Sequence, residues 1–468
     1  MASTRLKNPA TGASVQSERR TLTWSGWIKK IGQGADQDIY TGRYTGSYFA
    51  HLAFDSDDKI RIRQYAGGSS AFFLKTTRVF RDPNAWYHIV MAVDTTQATS
   101  SNRIKLYVNG EQITTFDTET YPSQNLDTYW QMTGTDSYPS YLGWDGTYYF
   151  NGLMSDVYII GGTAYPASTF GATDATTGEW KPNANPTISY GTGVAGNAHL
   201  KFDDTSNFGK NSATGFTSNH WSVDNGTMTK TEDNPSNVFA TLNPLYNPLG
   251  AVLSHGNTHG NAGGAHKIVC ATIACGYPNA PSTAKFYWET KMEATDGRTV
   301  GLVKSNMPQN STWHDDYLGQ NSGGGGVIGY YLGTYVDGTQ ADVAYNGTAP
   351  QITITGGWSV GDIMVHAYDA STGKYWQGKN GTWFTVGGGV GNRAPGAYPL
   401  VTLNATDREH FIFPADSCYD GRWSWNFGNG YFKTTQISSE GTNASGIGKF
   451  EFDVPTGFTA ISTKGYNL

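Results

Sequence analysis

Short alternating segments that end at glycine, asparagine or proline recur along most of the chain, and they restrict it to folds built from strands and turns. In IKLYVNGEQI (104–113), apolar residues occupy every second position from Ile104 to Val108, as on a strand with one buried face. Asn109 and Gly110 tolerate the positive φ angles of a two-residue type I′ turn. The segment therefore predicts a β-hairpin.

A second segment of the same kind is GKYWQGKNGTWF (373–384), with Asn380 and Gly381 at its turn. No span of eleven or more residues keeps the apolar period of an amphipathic helix. The chain has 59 glycines, 29 tyrosines and 14 tryptophans but only 15% charged residues, a balance that favours strands and turns over helices. The sequence predicts an all-β protein.

The length of 468 residues is too great for one ordinary core, and the strand-like segments fall into two groups. The stretch between them is rich in Asn, Pro, Thr and Gly. Apolar residues within it, such as Phe202 and Trp221, indicate that it packs onto its neighbours rather than forming a free linker. We predict a first β-sandwich at 1–175, a packed connector at 176–250 and a second β-sandwich at 251–468.

Charge and hydropathy exclude two classes of partner. The net charge is −6 and no run of lysine or arginine occurs, which argues against nucleic acid. The opening residues MASTRLKNPATG lack the apolar stretch of a signal peptide, and nowhere do 18 apolar residues run together. We therefore expect no nucleic-acid partner, no membrane insertion and synthesis in a cytoplasm.

Tyrosine and tryptophan cluster in segments that also contain glycine and aspartate, such as DTYWQM, GWDGTYYF and STWHDDYLG. Flat rings of this kind stack on sugar faces. The same residue types are enriched at contacts between proteins, so both a glycan-binding and a partner-binding role are open. The candidate residues are Tyr129, Trp130, Trp144, Tyr148, Tyr149, Trp313 and Tyr317.

Two series of motifs resemble known domain families. TLTWSGWIKK, WYHIVMAVD, IKLYVNGEQI and YFNGLMSDVYII come in the order seen in laminin-G and pentraxin-like domains of the concanavalin A-like superfamily. The second half resembles a SPRY domain, through KFYWETKM, TVGLV, IGYYLGTY, GDIMVHAYDASTGKYWQGKNGTWF and WNFGNGYF. The resemblance implies two antiparallel β-sandwiches of the jelly-roll type, joined by the connector.

The combination of both series with the connector segment DNPSNVFATLNPL (233–245) resembles large structural proteins of tailed bacteriophages. That resemblance implies a non-enzymatic virion protein, in capsid decoration or in a tail fibre. Its partners would be other virion proteins and further copies of itself, since such proteins act on symmetric particles. The alternative is a carbohydrate-binding adhesin that attaches the particle to host glycans, and the third candidate is a polysaccharide hydrolase.

A hydrolase of the concanavalin A-like class needs two carboxyl groups, about 5–5.5 Å apart in retaining enzymes. The nearest pairs on one strand are Asp117 with Glu119 and Glu289 with Glu293. Each is more simply a solvent-facing strand edge. We therefore expect no enzymatic activity.

Calcium is the cofactor that the laminin-G and pentraxin resemblance implies, since those sandwiches hold it with loop carboxylates and carbonyl oxygens. Aspartates that cap turns between strands are the ordinary alternative. No other cofactor is expected. The candidate calcium ligands are Asp36, Asp38, Asp55, Asp57, Asp58 and Asp145.

Overall fold

The computed structural model is built almost entirely from strands and turns. It describes residues 4–8, 12–13, 16–133, 139–192, 196–247, 250–261, 267–294, 298–305, 331–336, 340–345, 348–355, 359–384, 395, 398–418 and 423–468. Within these ranges the one α-helix is α1 (Gln16–Arg20), and short 3₁₀ turns lie at Ser100–Asn102, Ala167–Thr169, Asp407–Glu409 and Gly465–Asn467. No helix in the described ranges has the length and apolar character needed to cross a lipid bilayer. The all-β prediction is confirmed.

The chain divides into two compact units. The first unit comprises Met1–Lys230 with Asn234–Ser236, and the second comprises Thr231–Asp233 with Asn237–Leu468. The stretch 176–250, which we expected to be a connector, is thus shared between the units, and residues up to 230 belong to the first.

The first unit contains two large sheets, nearly all of whose strands pair antiparallel. Its described strands are β1 (Arg5–Lys7), β2 (Gly12–Ala13), β3 (Thr21–Lys30), β4 (Gln37–Thr45), β5 (Tyr48–Phe54), β6 (Lys59–Ala66), β7 (Ser69–Val79), β8 (Trp86–Asp94), β9 (Ile104–Val108), β10 (Glu111–Ile113), β11 (Phe116–Thr120), β12 (Met132–Thr133), β13 (Tyr141–Leu142), β14 (Gly152–Gly161), β15 (Gly171–Thr173), β16 (Trp180–Pro182), β17 (Ala198–Leu200) and β18 (Ser222–Asn225). A ten-stranded sheet has the order β11, β7, β6, β5, β4, β13, β1, β18, with β2 and β12 attached beside β4. The other sheet has six strands in the order β10, β9, β8, β3, β14, β17, while β15 and β16 form a separate hairpin.

The core of the first unit lies between these two sheets. Leu52 of β5 and Ile62 of β6 point inward and are fully buried, in the same cluster as Ile89 and Met91 of β8. Ile89 and Met91, which are two residues apart in the segment WYHIVMAVD, therefore point to the same core. Because each fully buried large apolar side chain contributes about 1.5–3 kcal/mol, this layer is the main source of stability of the unit.

The outer side of the six-stranded sheet is covered by the chain that follows β14. Val90 and Tyr158 on that side pack against Ala167, Phe170 and Trp180. Tyr44 of β4 and Tyr48 of β5, whose rings are exposed, belong instead to the ten-stranded sheet.

The second unit is also built from two sheets. Its described strands are β19 (Val252–Ser254), β20 (His259–Asn261), β21 (Lys267–Cys270), β22 (Lys285–Met292), β23 (Arg298–Lys304), β24 (Tyr331–Val336), β25 (Gln340–Tyr345), β26 (Thr348–Thr355), β27 (Ile363–Asp369), β28 (Lys374–Lys379), β29 (Thr382–Trp383), β30 (Val401–Thr402), β31 (Ile412–Cys418), β32 (Trp423–Asn426), β33 (Tyr431–Phe432), β34 (Thr435–Gln436) and β35 (Thr459–Ala460). One sheet has the order β19, β20, β32, β22, β27, β28, β29, with β30 beside β28 and β35 beside β22. The other has the order β21, β31, β23, β24, β25, β26, and β33 and β34 pair on their own.

The two Asn-Gly turns have the conformation that the sequence predicts. Asn109 and Gly110 have φ angles of 51° and 82°, and Asn380 and Gly381 have 48° and 79°. In both hairpins the residues that flank the two-residue loop pair with each other. Positive φ at both loop positions is the mark of a type I′ turn, so both hairpin predictions are confirmed.

Candidate functional site

The outer side of the ten-stranded sheet carries aromatic and basic side chains because residues alternate along each strand. On β5, Ala50 and Leu52 point into the core, so Phe49 and His51 point outward. The strand register then places a continuous set of outward side chains on four neighbouring strands. We call it the outward face: Arg43, Phe49, His51, Arg61, Arg63, Tyr65, Phe73 and Lys75.

Stacked rings and guanidinium groups form the middle of the outward face. The rings of Phe49 and Tyr65 stack with centroids 4.8 Å apart. The Arg63 guanidinium lies over Tyr65 at 4.1 Å and over Phe73 at 4.8 Å, and that of Arg43 lies over Phe49 at 5.4 Å. All five side chains are half-buried, so each ring keeps surface available to a ligand.

Tyr129, one of the predicted surface aromatics, belongs to a tyrosine group at the turn between β4 and β5. Its ring stacks on Tyr44 at 6.5 Å and meets the edge of Tyr48 at 6.0 Å. Tyr44 and Tyr48 are 47% and 38% exposed, whereas Tyr129 is half-buried. The structure thus brings Tyr129 to an exposed rim, with partners that the sequence did not single out.

Trp144, Tyr148 and Tyr149 lie in one short loop after β13. Trp144 and Tyr149 pair across the loop, and the Arg5 guanidinium stacks on the Trp144 ring at 3.7 Å. Tyr148 is 42% exposed. The loop therefore offers one exposed tyrosine, while its tryptophan is held by an arginine from β1.

The expectation that Trp130 is a surface residue is wrong. Its ring is fully buried in the core of the first unit, 5.8 Å from the ring of Phe72. Tyr129 and Trp130 are consecutive residues whose side chains point in opposite directions, Tyr129 toward the exposed rim and Trp130 into the core. Trp313 and Tyr317 lie outside the described residues.

Two predicted calcium ligands meet a histidine at the edge of the outward face. Asp38 on β4, His51 on β5 and Asp145 in the loop after β13 each direct one ligand atom to a common point, and these atoms lie within 4.8 Å of one another. Nδ1 of His51 is 3.1 Å from Oδ2 of Asp38 and 3.9 Å from Oδ2 of Asp145. Burial, together with the Asp145 carboxylate, raises the pKa of Asp38 well above its usual value. Burial lowers the pKa of His51 to about 3, which keeps its ring neutral.

The other predicted calcium ligands lie beside lysine and arginine side chains. The contacts are Asp58 with Lys30 (2.5 Å) and Arg81 (2.9 Å), Asp55 with Arg61 (2.9 Å) and Lys75 (2.9 Å), Asp57 with Lys75 (2.9 Å) and Lys59 (3.4 Å), and Asp36 with Arg61 (3.7 Å). Calcium takes six to eight oxygen ligands. Since cations already neutralise four of the six predicted aspartates, this set does not fit a calcium site.

The carboxyl pairs considered for hydrolysis have other partners. Asp117 forms an ion pair with Lys59 at 2.5 Å, and Glu119 accepts a hydrogen bond from the Tyr121 hydroxyl. Glu293 binds Lys433 at 2.9 Å. Glu289 is not a solvent-facing edge residue, because it is fully buried.

Four donors surround the Glu289 carboxylate. They are the Tyr287 hydroxyl, the Asn426 amide and the backbone N–H groups of Glu451 and Phe452. A carboxylate with this number of donors ties strands together and has no free oxygen for a substrate.

Residues 7–168 match the family model of the concanavalin A-like lectin/glucanases superfamily. The fold is a concanavalin A-like jelly roll. The match covers less than half of the chain and lies within the first unit, where the laminin-G and pentraxin motifs were found. No protein of curated function matches the sequence.

Solved structures with a similar fold include laminin-G and SPRY domains. Domains LG4-5 of the mouse laminin α1 chain are 9% identical, with 91% of this chain and 85% of that one covered at a TM-score of 0.26. The SPRY domain of human HERC1 is 12% identical, with 39% and 93% covered at 0.26. The CBM40 domain of the Ruminococcus gnavus IT-sialidase is 17% identical, with 35% and 90% covered at 0.25. At such TM-scores none of these likenesses carries a functional argument.

Proposed function

We propose that the first unit binds carbohydrate through the outward face, without cleaving it. The observation that carries this proposal is the stacked pair Phe49 and Tyr65, flanked by Arg63 and Phe73 on the same side of the sheet. The half-buried rings leave part of their apolar surface to the C–H groups of a sugar, and guanidinium groups donate to its oxygens. The match to a lectin and glucanase superfamily supports the same class of ligand.

Two arginines on the outward face favour a sugar that carries a carboxylate. Arg63 donates to the Ser70 hydroxyl at 3.1 Å and lies on two rings. Arg43 donates to the backbone carbonyl of Asp145 and lies on Phe49. Neither guanidinium forms an ion pair with a carboxylate among the described residues. The planar guanidinium group can bind both oxygens of a carboxylate at once.

A glycan array with the full-length protein tests this proposal. We expect retention on oligosaccharides that contain uronic or sialic acids, and weaker retention on neutral ones. The substitutions Phe49→Ala and Tyr65→Ala should each reduce affinity by about tenfold, which corresponds to roughly 1.4 kcal/mol. Tyr398→Ala is the matched control, since that ring is 73% exposed and lies in the second unit. Absence of binding to every glycan class would overturn the proposal.

Binding without hydrolysis is supported by the state of the carboxyl pairs in both units. Asp117 is neutralised by Lys59, and Glu289 is buried among four donors. A reducing-sugar assay on any glycan that the array identifies should therefore detect no product. Release of reducing sugar above the buffer control would contradict this part of the proposal.

A tailed-phage particle is the setting that we propose for this binding. The support is the sequence resemblance alone, namely the order of laminin-G-like and SPRY-like motifs with the segment 233–245 between them. In that setting the chain would be a multimeric virion component whose first unit attaches the particle to host glycans. Mass spectrometry of purified particles should detect its peptides, and their absence from particles would refute the setting without affecting glycan binding.

A further inference from the structure

We propose that Asp38, His51 and Asp145 form a site for a divalent transition-metal ion of the class of Zn²⁺, rather than for calcium. His51 belongs to the outward face, but the test of the metal site involves no sugar, so the two proposals can fail separately. Four observations support it: ligand atoms without hydrogen bonds, fixed carboxylates, ligand spacing and ligand type.

The atoms that point to the common centre have no hydrogen-bond partner among the described residues. This holds for Oδ2 of Asp38 and for Nδ1 of His51, which is the ring nitrogen that faces the two carboxylates. The side chains of Asp38 and His51 are only 0% and 4% exposed, so these atoms are shielded from bulk solvent. Although Nδ1 of His51 is 3.1 Å from Oδ2 of Asp38, the contact does not have the geometry of a hydrogen bond. An unsatisfied buried polar group costs about 1–3 kcal/mol, and a metal ion would remove that cost for both of these atoms.

Both carboxylates are held by one oxygen and present the other to the centre. Oδ1 of Asp38 accepts a hydrogen bond from the Thr41 hydroxyl at 2.5 Å. Oδ1 of Asp145 accepts from the backbone N–H groups of Thr147 and Tyr148 at 2.7 and 2.8 Å. Supporting contacts of this kind orient the ligands of metal sites. The free Oδ2 atoms of both residues are the ones nearest to His51.

The spacing and charge of the ligand atoms suit a small divalent ion. Protein ligands lie about 2.0–2.2 Å from Zn²⁺ in a tetrahedral arrangement, so two ligand atoms are roughly 3.3–3.6 Å apart. The distances at His51, 3.1 and 3.9 Å, lie on either side of that range. Neither Asp38 nor Asp145 forms an ion pair with lysine or arginine in the described part of the chain. The nearby Arg61 is bound to Asp55 at 2.9 Å, and Arg43 donates to the Asp145 carbonyl instead of its carboxylate.

The type of the ligands distinguishes the ion. A neutral imidazole is a good ligand for zinc, copper, nickel and iron, whereas calcium prefers a shell of six to eight oxygens. Two carboxylates with one imidazole leave a fourth position open. Asp145 is 10% exposed and provides access from solvent, so a water molecule can fill that position.

Metal titration of chelator-treated, full-length protein tests the site. Calorimetry should give one Zn²⁺ bound per chain through Asp38, His51 and Asp145, and the melting temperature should rise with Zn²⁺ but not with Ca²⁺ or Mg²⁺. His51→Gln should weaken Zn²⁺ binding by more than about tenfold. His199→Gln is the matched control. His199 also lies beside an aspartate, Asp156 at 2.7 Å, but the two are not part of a group of three possible metal ligands among the described residues. Unchanged Zn²⁺ affinity in His51→Gln, or an equal response to Ca²⁺, would overturn the proposal.

Two further measurements cover the case in which His51→Gln does not fold. Asp145→Asn alters a residue nearer the surface and should also lower Zn²⁺ affinity by more than about tenfold. Co²⁺ in place of Zn²⁺ in the wild-type protein should give visible absorption bands of a four-coordinate site, and X-ray absorption should show one imidazole nitrogen. An octahedral spectrum with oxygen ligands alone would refute the site even if every variant failed to fold.

Discussion

The first unit contains two groups of aspartates that look equivalent in the sequence but have different partners in the structure. Asp55, Asp57 and Asp58 form an ion-paired group, in which each carboxylate contacts lysine or arginine. Asp38 and Asp145 instead meet a neutral histidine. Carboxylates with cationic partners are fully explained by folding. Asp38 and Asp145, which form no ion pair with lysine or arginine among the described residues, are the ones that we propose bind a metal ion.

The second unit also contains two buried carboxyl groups, Glu289 and Asp416, which differ in the number of their hydrogen-bond donors. Burial raises the pKa of Glu289 to about 7 in spite of its four donors, and raises that of Asp416 to about 8. Asp416 has a single weak donor, the Trp425 indole at 3.4 Å, and its Oδ1 has no partner among the described residues. The two residues therefore differ in how many hydrogen bonds compensate their burial. Glu289 is compensated by four donors, whereas Asp416 has one weak donor and remains a cost to stability.

The largest effect is expected from breaking the ion-paired group at its buried contact. Lys30→Met removes the partner 2.5 Å from Asp58, where both side chains are at most 4% exposed. The free energy of unfolding should fall by about 3 kcal/mol, because the buried Asp58 carboxylate loses its buried partner and keeps only the exposed Arg81. Urea denaturation measures this change. Lys59→Met is the control, since its partner Asp117 is exposed, and a similar loss in both variants would contradict the comparison.

A smaller effect of opposite sign is expected at Asp416. Its folded pKa of about 8 lies above the unfolded value of 3.8, so stability falls as pH rises between these two values. Asp416→Asn should therefore stabilise the protein at pH 8 by roughly 1–3 kcal/mol and have little effect at pH 4. Thermal unfolding at both pH values checks this, and an equal change at the two values would exclude the buried-carboxyl explanation.

Asp38→Asn should stabilise the metal-free protein by about 1 kcal/mol at pH 7. The pKa of Asp38 is higher in the folded protein than in the unfolded chain, so ionisation of Asp38 favours unfolding. In chelator, the free energy of unfolding should therefore decline as the pH rises above the usual aspartate pKa of 3.8. The same substitution should abolish the response to Zn²⁺. A destabilised variant in chelator would show that Asp38 is needed by the fold itself.

The smallest effect is expected from Asp57→Asn. The Asp57 side chain is 40% exposed, and its contacts with Lys59 and Lys75 are screened by solvent. The free energy of unfolding should change by less than about 1 kcal/mol, and the difference should shrink in 1 M salt. A larger change that persists at high salt would place Asp57 among the buried contacts.

Alternation and turn residues predicted the hairpin of β9 and β10 and both type I′ turns, because each depends on neighbours in sequence. The site depends on register, which sequence periodicity does not supply. His51 lies in YFAHLAF as one polar residue on a strand, and only its pairing opposite Thr41 and beside Asp38 gives it a role. The cations of the ion-paired group come from four different strands or loops, so composition could not separate Asp58 from Asp38.

The aromatic surface shows the same limit. Trp130 lies in an aromatic segment that predicts a loop, yet its ring fills the core. Phe49, Tyr65 and Phe73 carry no sequence motif that marks them as surface residues. These three residues occupy positions that point outward on three adjacent strands. That pattern could identify them, but it requires knowing which strands are neighbours in the sheet.

Strand β18 pairs with β1, so the first unit is completed by residues 222–225 joining residues 5–7. A ribosome must therefore synthesise more than 200 further residues before the earliest strand acquires this neighbour. Until then the nascent chain exposes an unpaired edge, which is a template for association with other chains. Expression of a fragment that stops near residue 175 would make that transient state permanent.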